Sequence, residues 1–451
     1  MKVQILSRKL ITPSSPTPEH LRLLQLSYLD QVAHTFYVPR LFCYLPSEEE
    51  ERGGLGNSQK SELLQNSLSE TLTLYYPLAG RYIKEKHSVE CNDRGAEYLE
   101  ARVSGCASLS QLLSSQERSQ LLSKWFHQLV PDPPESDTTP LVMVQFNMFE
   151  CGGVVIAICV KHTVADGVSC FTFINTWGKI SRVGAVNEQF RPSFELASFF
   201  PPREVYLPQK SNGPGDDKKF FVKRLVFSAA AISTLKGIAT STGSTDSESL
   251  KHQPTRVEVL MAFIWMCLIR MAKARCAGFR PSLLLISVNI RNRTILPIPE
   301  NSFGNIVVQA VARFFPDGKG KLELHDLAGK IHHAIRSTLS NCAKATNADD
   351  IVSLVNKANE ELQLAKDTPD VDCYASTSWC RFPIYEADHG WGKPSWVSVP
   401  MFPNMRDVIV LMDTKDGDGV EALVALDERS IMHFFEQDPE ILPFLGQELQ
   451  A

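Results

Sequence analysis

The chain has 451 residues, of which 43% are hydrophobic and 22% are charged, a composition typical of globular proteins with room for two or three domains. A formal net charge of −5 argues against a nucleic-acid-binding protein, which would present a basic face. The N-terminus has no apolar signal-peptide run, and the longest apolar runs are far shorter than the ~20 residues of a membrane span. We therefore expect a cytoplasmic protein with no nucleic-acid or membrane partner.

Eleven cysteines are scattered singly along the chain. An odd number of cysteines without any Cys-x-x-Cys pair indicates neither a disulfide framework nor a zinc site. The histidines form no His-x-x-x-His pattern, and the motifs of P-loop, Rossmann and serine-hydrolase sites are absent from the sequence. We therefore expect reduced cysteines, no bound metal and no permanently bound cofactor.

The first half of the chain alternates helical and strand patterns. Residues 61–81 have apolar residues at helical spacing and end at a proline and a glycine, which predicts a helix. Residues 141–162 predict two strands joined by a turn at Cys151-Gly152-Gly153, because β-branched residues are dense there. Helical spacing returns over residues 167–180.

The second half repeats this alternation after a polar stretch. Residues 255–275 predict a long amphipathic helix and residues 282–291 predict a strand, so the whole chain indicates an α/β fold of mixed sheets with packed helices. The stretch at 207–219 is rich in proline, glycine and charge, which predicts an exposed connection. We therefore expect an N-terminal domain over 1–205, a linker over 206–220 and a C-terminal domain over 221–451.

The most informative short stretch is KHTVADG at residues 161–167. In a helix, His162 and Asp166 would share one face as a His–Asp dyad, but the flanking strand and helix patterns predict a loop. In a loop, His162 can act as a general base because its unperturbed pKa lies near ~6.5. Asp166 then caps the following helix or joins a buried ion pair. The alternative is an ordinary loop histidine, since His-x-x-x-Asp is a frequent accident.

Three motifs occur in order and well separated along the chain: YYPLAGR at 75–81, HTVADG at 162–167 and DHGWGKP at 388–394. Together they resemble the plant BAHD acyltransferases, which move an acyl group from coenzyme A to a hydroxyl or an amine. LSYLDQ at 26–31 and GNI at 304–306 also resemble that family. The likeness thus covers nearly the whole chain.

Three further segments, CNDRGAEYLEAR, STSWCRFP and LMDTKDGDGVEA, resemble the branch of vinorine synthase and deacetylvindoline acetyltransferase. The resemblance implies two domains, each like chloramphenicol acetyltransferase, with a solvent channel between them in which the substrates meet at His162. It also implies acetyl-CoA as cosubstrate, a hydroxylated alkaloid or terpenoid as acceptor, and a monomer. His162 would take the acceptor's hydroxyl proton, and the oxygen would attack the thioester to give a tetrahedral adduct.

The resemblance also assigns roles to further residues. Thr377 and Trp379 would donate hydrogen bonds to the oxyanion, with core packing as the alternative for the tryptophan. Asp166 would pair with Arg291 and so hold the loop that carries His162. Thr255 and Arg256, at the start of a helix, would contact coenzyme A, because a helix N-terminus suits phosphate.

The third motif departs from the family's usual D-F-G-W-G by having His389 in second place. Asp388 is a candidate catalytic residue, with a structural role in the turn as the alternative. Gly167 and the turn residues Gly390, Trp391 and Gly392 would support the structure. His389 would pack in place of phenylalanine, or would make stability or coenzyme A affinity depend on pH between 5 and 8.

Two other functions are compatible with the same motifs. A condensation-type enzyme of the same superfamily would take acyl groups from a carrier protein. Such enzymes usually have two consecutive histidines, whereas Lys161 precedes His162 here. A non-catalytic metabolite-binding protein on the same fold is favoured only by the altered turn at 388–392, and the intact His162 and Asp166 argue against it. Release of coenzyme A thiol would separate these functions.

Overall fold

The chain divides into two compact units, each assembled from separate stretches of sequence. The computed structural model describes residues 1–46, 55–106, 108–114, 126–133, 136, 138–184, 191–204, 220–241, 253–276, 278–316, 322–400, 407–427 and 444. The first unit comprises residues 1–210, 298–305 and 382–401, and the second comprises residues 211–297, 306–381 and 402–451.

The strands of the first unit are β1 (Lys2–Ile11), β2 (Leu23–Gln25), β3 (Tyr37–Tyr44), β4 (Arg81–Ile83), β5 (Ser88–Glu90), β6 (Ala96–Ser104), β7 (Val142–Phe149), β8 (Val154–Lys161) and β13 (Trp396–Ser398). Its helices are α1 (Tyr28–Gln31), α2 (Asn57–Leu74), α3 (Leu109–Leu112), α4 (Phe126–Leu129), α5 (Gly167–Val183) and α6 (Leu196–Phe199). Short 3-10 helices span Glu19–Leu21, Tyr76–Ala79, Lys84–Lys86 and His162–Val164.

The second unit has the strands β9 (Phe220–Phe227), β10 (Ser282–Asn289), β11 (Val307–Phe314), β12 (Asp372–Ser378), β14 (Val408–Asp413) and β15 (Val420–Asp427). Its helices are α7 (Ala229–Ser241), α8 (Arg256–Cys276), α9 (Leu324–Lys344) and α10 (Ala348–Asp367). No described helix is both long and apolar enough to cross a membrane.

The first unit is built on a six-stranded mixed sheet in the order β1-β6-β7-β8-β3-β13, with a small sheet β2-β5-β4 beside it. The central strands β7 and β8 are buried on both faces over most of their length, which explains their continuous apolar sequence. Helices α2 and α5 contact each other, because the Trp177 indole N–H donates to the Leu64 carbonyl at 3.2 Å and to the Ser67 hydroxyl at 3.0 Å.

The second unit has a six-stranded mixed sheet in the order β11-β10-β12-β14-β15-β9. Strands β10, β12 and β14 run parallel to one another, and the outer pairs are antiparallel. A buried ion pair joins neighbouring strands at one end of this sheet, where Arg224 on β9 donates two hydrogen bonds to Glu421 on β15 at 2.8 and 2.7 Å. The prediction of an α/β fold with mixed sheets is confirmed.

The predicted elements agree with the structure in type and differ at their ends. The helix predicted over 61–81 spans Asn57–Leu74 and is followed by a 3-10 turn. The predicted strand pair corresponds to β7 and β8, and the helix predicted after it corresponds to α5. The predicted long helix corresponds to α8, and the strand predicted after it corresponds to β10. The predicted linker at 206–220 lies almost entirely outside the described residues.

The predicted domain boundary requires a correction, because residues 298–305 and 382–401 belong to the first unit. Residues 382–401 belong to the first unit because their strand β13 pairs antiparallel with β3, through Trp396↔Cys43 and Ser398↔Leu41. The turn at 388–392 is therefore part of the unit that carries His162, and 221–451 is not one continuous domain. A three-residue strand leaves no periodic signal in the sequence.

Candidate active site

His162 lies at the point where a buried strand ends. Strand β8 ends at Lys161, residues 162–164 form a single 3-10 turn, and α5 begins at Gly167. The sequence predicted a loop between β8 and α5, and the segment is indeed not α-helical. His162 and Asp166 therefore do not face each other across a helical turn. The histidine side chain is half-buried.

Asp166 is the N-cap of α5. Its Oδ1 accepts a hydrogen bond from the Ser169 backbone N–H at 2.9 Å, which satisfies one of the free N–H groups at the helix start. Its own N–H donates to the Gly304 carbonyl at 3.4 Å, and the Ser169 hydroxyl donates to the same carbonyl at 2.9 Å. These bonds fasten residues 302–305 to the loop that carries His162.

Asn305 fixes the histidine ring. Its side-chain NH₂ donates to the Asp30 carboxylate at 2.9 Å and to the backbone carbonyls of His162 and Thr163 at 2.9 and 3.2 Å. All three partners can only accept, so the amide oxygen is the atom that lies 3.1 Å from His162 Nδ1. Nδ1 therefore carries the proton and donates it to that oxygen, which leaves Nε2 with a free lone pair.

Asp30 holds Asn305 in turn. The Asp30 carboxylate accepts hydrogen bonds from the Asn305 backbone N–H at 2.7 Å and from the Ser27 hydroxyl at 2.6 Å, besides the Asn305 amide. Burial raises the pKa of Asp30 from 3.8 to about 6, although these hydrogen bonds lower it in part. The Asp30 carboxylate is thus linked to the imidazole through the Asn305 side chain.

Burial also lowers the pKa of His162 below its usual value of 6.5, with the positive charge of Arg40 acting in the same direction. The negative charge of Asp166 and the hydrogen bond to Asn305 act against this shift. The lowered pKa favours the neutral form of the imidazole. An unprotonated Nε2 on a half-buried ring is the arrangement that a general base requires.

Gly304 permits the close approach of residues 302–305. A Cβ at this position would lie 2.7 Å from Leu196 Cδ2 and 3.2 Å from Asp30 Oδ1. Its φ of +137° is also one that L side chains rarely adopt. Only glycine therefore fits between Asp30 and α6 without displacing the network that holds His162.

The turn at 388–392 packs against the other end of α5. Asp388 Oδ1 accepts hydrogen bonds from the backbone N–H groups of Gly390 and Gly392 at 2.9 and 3.0 Å, and Oδ2 lies 3.7 Å from Arg182 Nη1. A Cβ at Gly178 would lie 3.0 Å from the Asp388 carbonyl. Gly178 lies about 16 Å along α5 from Gly167, which begins the helix beside the His162 loop. The contacts of Asp388 are therefore far from His162, and they fit a structural role better than the predicted catalytic one. The positive φ values of Gly390 and Gly392, +106° and +100°, agree with the predicted tight turn.

His389 packs among aromatic rings, as predicted for a histidine in place of phenylalanine. The side chain is 1% exposed and its ring stacks on Trp391 at 5.6 Å, with Tyr44 and Trp177 edge-on at 6.3 and 4.9 Å. Nδ1 lies 3.1 Å from the Ser181 hydroxyl. Burial lowers the pKa of His389 to about 3, so in the folded chain this ring does not titrate between pH 5 and 8.

Three other predicted site residues belong to the second unit. Thr377 lies half-buried on β12, and Trp379 follows that strand as a buried residue whose backbone N–H donates to the Leu411 carbonyl at 2.7 Å. Arg291 is buried after β10, and its guanidinium donates to Asn289 Oδ1 at 3.3 Å. The oxyanion role of the first two and the pairing of Arg291 with Asp166 stay predictions.

The residues proposed to contact coenzyme A already have partners within the second unit. The Thr255 hydroxyl accepts from the Glu258 N–H at 3.2 Å, while the Glu258 carboxylate accepts from the Thr255 N–H at 2.8 Å. Arg256 Nη2 lies 2.7 Å from Asp413 Oδ1. The start of α8 is therefore capped by a carboxylate of its own chain, and the contact of Thr255 and Arg256 with coenzyme A stays a prediction.

Sequence reasoning missed Asp30 and Asn305 as site residues. Both stand in segments that resemble the family, LSYLDQ and GNI, but 275 positions separate them along the chain. In the structure both residues are almost fully buried, and buried polar groups need partners. Among the described residues, no cluster of His, Cys, Asp and Glu could hold a metal ion.

Comparison with known proteins assigns the chain to a family. Residues 1–442 match the model of the Transferase family. The chain is a BAHD acyltransferase. An acetyl-CoA-benzylalcohol acetyltransferase of Clarkia breweri is 36% identical over 99% of this chain and 100% of its own length. Akuammiline synthase 1 of Alstonia scholaris is 35% identical over 98% of this chain and 97% of its own.

Structural comparison agrees with this assignment. The crystal structure of vinorine synthase superposes on this BAHD enzyme with a TM-score of 0.78 and 30% identity, over 98% of each chain. The resemblance inferred from the motifs is therefore confirmed, and the chain is an enzyme that transfers acyl groups. A CoA-bound fungal structure at 18% identity and a TM-score of 0.68 shares the fold.

Proposed function

We propose that this BAHD enzyme transfers the acetyl group of acetyl-CoA to a hydroxyl of a plant specialised metabolite of alkaloid or terpenoid type. The observation that carries the proposal is the hydrogen-bonded series Asp30–Asn305–His162, which leaves Nε2 of the histidine unprotonated. The names of the related acetyltransferases support the acetyl donor and a small alcohol as acceptor. No resident cofactor enters the reaction.

In the proposed reaction, His162 Nε2 accepts the proton of the acceptor hydroxyl as the oxygen attacks the thioester carbonyl carbon. A carbon–oxygen bond forms, and the carbonyl π electrons move onto the oxygen to give a tetrahedral intermediate. When that intermediate collapses, the carbon–sulfur bond breaks and the thiolate takes the proton from the imidazolium. The products are the acetyl ester and coenzyme A thiol. A positioned base of this kind contributes about 10²–10⁴-fold to the rate.

The other site residues have supporting roles in this proposal. Asp166 fixes the loop as the cap of α5, and Gly167 begins that helix. Thr377 and Trp379 would donate to the oxyanion, as the family resemblance implies, and Arg291 would pair with Asp166. Asp388, with Gly390, Trp391 and Gly392, would maintain the turn against α5. We also propose that the enzyme works as a cytoplasmic monomer.

The test uses purified enzyme, acetyl-CoA and a panel of hydroxylated alkaloids, terpenoids and simple alcohols. Thiol release is followed with a disulfide reagent, and the ester is identified by mass spectrometry. We expect thiol release that requires an acceptor and matches ester formation mole for mole. No thiol release across the panel together with no binding of acetyl-CoA would instead favour the non-catalytic metabolite-binding protein. Acyl transfer from a carrier protein alone would favour the condensation-type enzyme.

A further inference from the structure

Residues 34–36, between α1 and β3, are fastened to the loop that carries the base. Their three consecutive carbonyl oxygens accept hydrogen bonds from the Thr163 hydroxyl at 3.2 Å, the Lys161 ammonium at 3.1 Å and the His162 backbone N–H at 2.9 Å. A segment held at three successive residues keeps a defined position relative to the imidazole. Its side chains are therefore a fixed part of the surroundings of the base.

Two of those side chains form an aromatic pair beside the base. The rings of His34 and Phe36 stack with their centroids 4.9 Å apart and their planes 25° apart. Both rings meet the His162 ring edge-on, at 5.7 Å for His34 and 6.0 Å for Phe36. His34 is exposed and Phe36 is half-buried, so part of the pair's surface is accessible to a small molecule.

In the proposed reaction, the acceptor must reach the imidazole that this aromatic pair adjoins. A hydroxyl must lie within about 3 Å of Nε2 to give up its proton. Carbons two or three bonds from that oxygen then lie at about the same distance from the imidazole as the rings of His34 and Phe36. The ammonium of the neighbouring Lys161 lies over the rings of Tyr37 and Tyr82, at 4.8 and 5.7 Å, and donates to the carbonyl of Thr35, between the two aromatic residues.

We propose that the His34–Phe36 pair determines acceptor specificity, and that it selects an alcohol with an aromatic or similarly flat unsaturated group on the carbon that bears the hydroxyl. The inference rests on the proposed function and narrows its acceptor class. Aromatic rings attract one another in edge-to-face and offset arrangements beyond the effect of buried area. A saturated ring of the same size gains the same stabilisation from burial but lacks this attraction between aromatic rings.

The test compares two alcohols that differ only in the unsaturation of the ring, benzyl alcohol and cyclohexylmethanol. We expect the wild-type enzyme to prefer benzyl alcohol in kcat/KM by about 2- to 10-fold. Phe36→Leu should bring this preference close to unity, mainly by lowering kcat/KM for benzyl alcohol. His34→Leu, at an exposed position, should lower the preference without a loss of folding. Phe315→Leu, at a 63% exposed aromatic residue of the second unit, is the control and should keep the wild-type preference.

The outcomes separate the inference from the function on which it rests. A wild-type enzyme that acetylates both alcohols with equal kcat/KM overturns the inference and leaves the proposed function intact. The same holds if both His34→Leu and Phe36→Leu keep the full preference. If no alcohol of any class supports thiol release, the proposed function fails and the inference fails with it.

Discussion

Replacing Asn305 tests the role of the hydrogen-bonded series most sharply. Asn305→Leu keeps the size of the side chain but removes the oxygen that accepts the Nδ1–H of His162. When His162 takes a proton from the acceptor, this bond becomes charge-assisted, and such bonds contribute about 1.5–3 kcal/mol. Its loss should therefore lower kcat by about 10- to 150-fold.

The same change should affect stability in a pH-dependent way. Burial already raises the pKa of Asp30 to about 6, and the hydrogen bond from the Asn305 side chain lowers it in part. The variant loses this hydrogen bond, so the pKa of Asp30 should rise further. A carboxyl with a raised folded-state pKa lowers the free energy of unfolding progressively as pH rises through that pKa. The destabilisation by Asn305→Leu should therefore be larger at pH 8 than at pH 5, as measured by urea unfolding at both values.

The assay for the catalytic part is steady-state thiol release at pH 7.5, with kcat and the KM for acetyl-CoA determined separately. We expect the loss in kcat and little change in KM, because Asn305 acts on the base. Asn301→Leu is the matched control, since this exposed asparagine of the same segment donates to the Arg191 carbonyl at 2.7 Å. A folded Asn305→Leu enzyme with kcat within about threefold of wild type would refute the reasoning. The ¹⁵N shifts of the His162 ring in the wild-type enzyme give a second readout and should show the proton on Nδ1.

Two further predictions concern the turn at 388–392. His389 has a folded-state pKa of about 3 against 6.5 for the free side chain, so wild-type stability should fall as pH drops below 6.5, by about 2 kcal/mol at pH 5. His389→Phe should remove most of that loss in parallel urea titrations at pH 5 and 7.5, and equal pH dependence in both proteins would contradict the burial argument. Asp388→Ala should lower the free energy of unfolding by about 1–3 kcal/mol, because two backbone N–H groups lose their acceptor, with kcat within about threefold of wild type. A 100-fold loss of kcat without destabilisation would restore the catalytic role.

Local patterns predicted much of the fold because local physics determines it. The sequence of residues 141–162 predicted two strands joined by a turn, and β7 and β8 are found there. The patterns around residues 162–167 predicted a loop followed by a helix, with Asp166 as the helix cap or in a buried ion pair, and Asp166 is found as the cap of α5. In each case the signal lies within about ten residues of chain, which is the range over which periodicity and capping act.

The rest depends on contacts between distant parts of the chain. The Asp30–Asn305 contact joins residues 275 positions apart, and no local propensity connects them. The return of residues 382–401 to the first unit depends on a strand of three residues, β13, which is too short to show a period. No pattern in the sequence indicated that His34 and Phe36 flank the base, because their position follows from the docking of residues 34–36 onto residues 161–163.

The most direct test of the central claim is acceptor-dependent thiol release from acetyl-CoA by wild-type enzyme and by His162→Ala, measured side by side at pH 7.5. Circular dichroism and the thermal midpoint confirm that both proteins are folded. We predict turnover in the wild-type enzyme and a loss of about 10²–10⁴-fold in kcat for the variant. A folded His162→Ala enzyme with wild-type turnover would contradict the claim that this histidine is the base.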